Sequence, residues 1–127
     1  MMAEGQVRKV IGIVGPCGSG KTTLVKILNV LGINARHIAQ EHSYVGAMWQ
    51  KITNPEFLIF LDASYPETVR RRKLTWTMDE YLEQHRRLAH ARQHADLYIF
   101  TDPLNPEEVL HIVVNFLQDH AIYPDDG

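Results

Sequence analysis

Gly15-Pro16-Cys17-Gly18-Ser19-Gly20-Lys21-Thr22 is a complete G-x-x-x-x-G-K-[ST] loop, and it follows directly on the apolar run Val7 to Val14. Glycines at 15, 18 and 20 let the backbone curl so that successive N–H groups point inward at anionic oxygen. The helix behind the loop adds the positive end of its dipole. Lys21 reaches the terminal phosphates of a bound nucleotide, and the Thr22 hydroxyl holds magnesium. The pattern therefore predicts a nucleoside triphosphate with magnesium, cradled by Gly15, Pro16, Cys17, Gly18, Ser19, Gly20, Lys21, Thr22 and Thr23. Cys17 is read as a small space-filler between glycines, because the chain has no second cysteine to resolve a redox reaction.

The flanks supply the context that the loop requires. Val10, Ile11, Ile13 and Val14 form a nearly continuous apolar run, as in a parallel strand covered on both faces. Leu24, Val25, Ile27, Leu28 and Leu31 then recur at helical spacing, and Gly32 stands where a left-handed cap ends a helix.

Further along, Ile33 to Ala39 reads as a weak second strand, and Val45 to Ile52 as a short helix carrying Met48 and Trp49. Phe57 to Leu61 is the next strong strand, closed by Asp62. Ser64-Tyr65-Pro66-Glu67 is a capping box opening a helix that ends in Arg70, Arg71, Arg72 and Lys73. A second box, Thr77 to Glu80, opens a helix whose apolar stripe is read as Met78, Tyr81, Leu82, His85, Leu88 and Ala89, with Glu83 four residues before Arg87 on the other side. Leu97 to Phe100 is a last short strand. Asn105-Pro106-Glu107-Glu108 begins the final helix through Val109, Val113, Phe116 and Leu117, and Pro124 to Gly127 is expected to be loose. Alternating strands and helices predict a three-layer α/β/α sandwich on a parallel sheet of about four strands. Ligands of such sheets sit beyond the carboxyl ends of the strands, where Gly15 to Thr22, Glu41, Asp62 and Thr101 to Asn105 gather.

At 127 residues the chain is expected to be a single domain, residues 1–127. A net charge of -2 argues against nucleic acid as the main partner. One cysteine excludes a disulfide framework and fits a reducing cytoplasm. No run approaches the roughly twenty apolar residues of a membrane span, and no signal-peptide apolar region is present. The expectation is a cytoplasmic protein without a membrane partner.

The phosphate loop, the Phe57 to Asp62 strand, the arginine-bearing helix and the Tyr98 to Asn105 strand and loop together resemble a reduced P-loop kinase of the nucleotide and shikimate kinase type. The resemblance implies ATP at Gly15, Gly18, Gly20, Lys21 and Thr22. It also implies a closing arginine among Arg70, Arg71 and Arg72, with Arg72 the first choice, and a base-side loop at Asp102 to Asn105. The family has five strands, an acidic residue ending a strand beside the loop, and a lid. Here one strand is missing, Leu74 to Thr77 is too short for a lid, and the acceptor-binding region has shrunk to Ile33 to Thr53. Such economy implies a small acceptor, surface borrowed from a second subunit in a homodimer, or lost catalysis.

Phosphoryl transfer demands positioning and charge neutralisation rather than covalent chemistry. The expected catalytic residues are Lys21, Glu41 and Arg72, with Thr22 and Asp62 at the metal. Glu41 would orient magnesium through water or accept the acceptor's proton, while Asp62 doubles as a candidate cap of the turn into the Ser64 helix. Among seven histidines, His90 and His94 are one turn apart but lack a third clustered ligand. The reading is thus an ATP-dependent phosphotransferase for a nucleoside, nucleotide or similar small hydroxyl metabolite. Its rival is a nucleotide-binding module, either a slow NTPase or a regulatory switch, whose acceptor site has been lost.

Overall fold

The structure is a computed structural model that describes residues 9–72 and 75–120. The side chain of Arg72, the residues 73 and 74, and the tail expected to be loose at Pro124 to Gly127 lie outside the described parts, as do Val7 and Arg8 at the head of the first predicted strand. Four parallel strands, β1 (Ile11–Val14), β2 (Ala35–His37), β3 (Phe57–Asp62) and β4 (Leu97–Phe100), form one sheet in the order β2-β1-β3-β4. Five α-helices accompany them among the described residues: α1 (Lys21–Val30), α2 (Met48–Ile52), α3 (Tyr65–Arg72), α4 (Met78–His94) and α5 (Pro106–Asp119).

Side-chain alternation along the strands sorts the core into two halves. Ile11, Ile13, Ile59 and Leu61 pack with Leu24 and Leu28 of α1 and Val113 and Leu117 of α5. Val14, Leu58 and Phe60 pack with Trp49, Leu88 and Ala91 on the opposite face. This is an α/β fold with helices over both faces of an all-parallel sheet, compatible with a three-layer arrangement. No helix among the described residues is long and apolar enough to cross a membrane.

Local signals place most boundaries. Helix α1 ends in a Schellman motif: the amides of Gly32 and Ile33 donate to Asn29 and Leu28, with Gly32 at φ 87°. Thr77 with Glu80 and Asn105 with Glu108 form complete capping boxes for α4 and α5. The Ser64 box is only half made. Ser64 Oγ accepts from the Glu67 amide at 3.4 Å, but the Glu67 carboxylate turns to Arg70 and Arg71 instead of back to the cap. The second strand contracts to Ala35–His37, since only Ala35 of the three is buried. The helix expected over Val45 to Ile52 starts at Met48, because Ser43 Oγ binds both the amide and the carbonyl of Val45 and holds a turn there.

Helix α4 departs most from expectation. Met78 and Leu82 are exposed, and Gln84, Leu88 and Ala91 are the buried positions. The true stripe runs Tyr81-Gln84-Leu88-Ala91: it keeps Tyr81 and Leu88 of the predicted one, leaves Met78, Leu82 and Ala89 exposed and takes in Gln84 and Ala91 instead. The polar Gln84 is recruited inward by partners on the phosphate loop. Leu88→Ala is accordingly expected to cost about 2–5 kcal/mol of unfolding free energy, whereas Leu82→Ala should change it by no more than about 0.5 kcal/mol, both read from urea denaturation.

Candidate functional site

Close packing beneath the loop dictates its first glycine. Gly15 has φ 154°, and a Cβ there would stand 2.0 Å from the Leu61 carbonyl oxygen, so β3 itself forbids a side chain. Gly18 and Gly20 also carry positive φ, and Gly20 serves as the N-cap of α1. The first-turn amides of Lys21, Thr22 and Thr23 have no intrahelical acceptor, which leaves a positive, donor-rich end facing the loop. The Ser19 amide donates to the Pro16 carbonyl at 3.2 Å. At the tip, Gln84 of α4 accepts from the Cys17 amide at 3.0 Å and donates to its Sγ at 3.2 Å.

Lys21 folds back over the loop. Its Nζ donates to the carbonyls of Gly15 at 2.5 Å and Pro16 at 3.1 Å, and lies 3.0 Å from Glu41 Oε2. Glu41 sits in the single 3-10 turn Gln40–His42 that follows β2, and β2 pairs directly with β1, so the carboxylate arrives beside the loop by strand order alone. Both residues are nearly inaccessible, 5 % exposed for Lys21 and 2 % for Glu41. The second carboxylate oxygen, Oε1, is buried without a hydrogen-bond partner among the described residues, as is Ser19 Oγ. A buried anionic oxygen left unpaired is costly, and it fits a cation or an ordered water. His37 and His42 flank the carboxylate, with Nε2 atoms 3.9 and 3.8 Å from Oε2. Burial and the Lys21 charge hold the His37 imidazole below its usual range.

The arginine that meets the loop is Arg71. Its guanidinium donates to the Gly18 carbonyl at 3.3 Å and to the hydroxyl and carbonyl of Thr101, both at 2.8 Å, while its Nε binds Glu67 at 3.0 Å. Arg70 also lines the cleft. Arg72, the expected closing arginine, ends α3 with its side chain outside the described atoms. The i, i+4 pair Glu67–Arg71 was the sequence signal that could have singled Arg71 out.

Asp62 does not join the site. It follows Phe60 on the α4 face of β3, whereas Leu61 borders the cleft. Its carboxylate accepts from Tyr98 Oη at 2.6 Å and from the Ala63 amide at 2.9 Å, and His85 Nε2 lies 3.5 Å away. Burial together with that carboxylate pushes the Tyr98 phenol up to about 12, so Tyr98 stays the donor in its bond to Asp62. His90 Nδ1 accepts from the indole of Trp49 at 3.0 Å, and its ring stacks on His94. Trp49 is core.

The loop, Glu41, Arg71 and Thr101 wall a cleft of about 720 Å³, a size usual for small-molecule sites, which span roughly 300–1,000 Å³. Its far wall is Ile27, Leu104, Asn105, Pro106 and Val109, so the expected base-side loop does border the same space. Thr22 and Thr23 line it as well. Sequence reading missed Gln84, a polar residue whose value lies wholly in its distant partner Cys17. Set against models of known protein families and against curated protein sequences, the chain matches none.

Two histidines make folding pH-dependent. Burial, above all, holds His37 and His85 below the ordinary value of 6.5. In the window below 6.5 the unfolded chain then binds more protons than the folded one, so stability rises with pH there and falls on acidification. Urea midpoints measured from neutral pH down to about pH 5 should decline, and His85→Asn should flatten the decline. A wild-type midpoint that rises on acidification would contradict this assignment.

Proposed function

We propose that the chain is a nucleoside triphosphate-binding protein of the P-loop type, a three-layer α/β/α sandwich. Its cleft takes ATP, or another triphosphate, with magnesium, and passes the terminal phosphoryl group to a small hydroxyl-bearing metabolite such as a nucleoside or nucleotide. The observation that carries this reading is the buried Lys21–Glu41 pair at the mouth of the loop, with one carboxylate oxygen left over.

In that pair the ammonium is parked on two loop carbonyls and a carboxylate. Phosphate oxygens in the loop would draw Lys21 off Glu41, leaving a buried carboxylate that only another cation or a proton can satisfy. Nucleotide and magnesium are thereby coupled: each makes room for the other. Thr22 would hold the magnesium directly and Glu41 through water; the ion supplies charge neutralisation between the phosphates. Glu41 also stands where it can take the proton from an attacking hydroxyl. Arg71, now bridging Gly18 and Thr101, is the guanidinium that turns toward the transferred group. The apolar wall of Ile27, Leu104 and Val109 suits a base.

One observation favours the second reading, a slow NTPase or switch. The segment after β2 is folded onto α4, where Gln40 Nε2 donates to the Arg87 carbonyl at 3.2 Å and Trp49 to His90. That leaves His37, Glu41 and His42 as the acceptor wall. A second copy in a homodimer would extend it.

Thermal melting with magnesium and ATP tests the premise. At a ligand concentration near a hundred times Kd the wild type should gain about 2.7 kcal/mol, and Lys21→Ala should lose most of that gain. No shift with ATP, GTP or other triphosphates would defeat the proposal. Arg71→Ala should reduce turnover on the order of 10²-fold with nucleotide affinity nearly kept. Phosphorylated metabolite as product supports the kinase; free phosphate alone supports the NTPase.

A further inference from the structure

Cys17, Glu41 and His42 come from two loops that the parallel sheet brings side by side, and their ligand atoms, Sγ, a carboxylate oxygen and an imidazole nitrogen, all lie within 4.8 Å of one another. We propose that they form a binding site for a zinc-class divalent ion at the lip of the phosphate loop. The chemistry of the set is selective. Thiolate plus imidazole plus one carboxylate is a borderline-soft donor group that suits zinc or cobalt, whereas magnesium prefers an all-oxygen octahedron.

Three observations converge. His42 Nε2 is 4.0 Å from Cys17 Sγ and 3.8 Å from Glu41 Oε2. Tetrahedral zinc at its usual bond lengths sets sulfur and nitrogen about 3.6 Å apart and nitrogen and oxygen about 3.4 Å apart, so both distances from the exposed His42 ring are about 0.4 Å longer than the bound values. The second is Glu41 itself, 2 % exposed and lining the cleft, whose Oε2 is shared with Lys21 while Oε1 is buried without a hydrogen-bond partner among the described residues. Third, the outer supports are in place. Gln84 holds Cys17 from both its amide and its sulfur, and Arg87 donates to the Glu41 carbonyl at 3.4 Å, steadying the 3-10 turn.

Binding would displace the Cys17 thiol proton to solvent and form metal–sulfur, metal–nitrogen and metal–oxygen bonds, with no change of oxidation state. Three protein ligands leave a fourth position open to water. Because the site engages Glu41, occupancy by zinc and occupancy by magnesium nucleotide should exclude one another. That consequence, unlike the site itself, rests on the nucleotide reading.

Cobalt titration of the reduced full chain, without nucleotide, tests the site. The expected result is one equivalent of Co²⁺ with thiolate-to-cobalt charge-transfer absorption that zinc abolishes by displacement. Cys17→Ser should remove the absorption, and His42→Ala, at an exposed position safe for folding, should weaken affinity at least about tenfold. No charge-transfer band at stoichiometric cobalt, or a band whose affinity His42→Ala leaves unchanged, overturns the proposal. A chain that binds cobalt in this way yet shows no melting shift with magnesium ATP would refute the nucleotide reading alone.

Discussion

A buried ion pair ties the glycine loop to the turn after β2: Lys21 Nζ against Glu41 Oε2 at 3.0 Å, with two loop carbonyls completing the ammonium's shell. Neither charge is solvated. Stripping a partner from such a pair costs about 3–5 kcal/mol, because the survivor stays buried and uncompensated. That contact joins the loop to the turn Gln40–His42. It is also incomplete, since Glu41 Oε1 has no partner among the described residues. A structure that bears this cost locally must recover it in the two apolar halves of its core.

The scaffold recovers it through strand order. Because all four strands run parallel, every loop at their carboxyl ends opens on the same edge of the sheet. The order β2-β1-β3-β4 then seats Glu41 on one side of the phosphate loop and Thr101 on the other. Two tethers hold the loop between them. Gln84 grips its tip from α4, and Arg71 links Gly18 to Thr101. Both tethers are hydrogen-bonded side chains rather than main-chain pairing, so a ligand can exchange them without unravelling the sheet. The cleft is rigid where the backbone forms it and adjustable where Lys21 and Arg71 cross it.

Where sequence reading fell short, the cause was the same each time. The stripe of α4 was drawn through Met78 and Leu82 by hydrophobicity, yet Gln84 turned inward because Cys17 offers it a donor and an acceptor sixty-seven residues away. Asp62 was assigned to the metal from its place at the end of β3. Alternation put it on the other face, beside Tyr98 and His85. Within the run of like residues after Glu67, sequence alone did not separate the arginines, and it is Arg71 whose guanidinium reaches Gly18 and Thr101. Glu41, by contrast, was singled out as an acid just past the second predicted strand, and the pairing of β2 with β1 sets it beside the loop.

By itself the sequence determined the alternation of strands and helices, the glycine loop with its lysine, the caps of α1, α4 and α5, and the apolar stripe of α5. These depend on neighbours within a few residues, and short-range periodicity and capping chemistry record them directly. Only the tertiary structure decided that Arg71 reaches Gly18 and Thr101, that Asp62 turns to Tyr98, and that Cys17 and His42 stand together. Those outcomes turn on side-chain direction and on strand order, which bring residues far apart in the chain within a few ångströms, and no local pattern of residues encodes that distance.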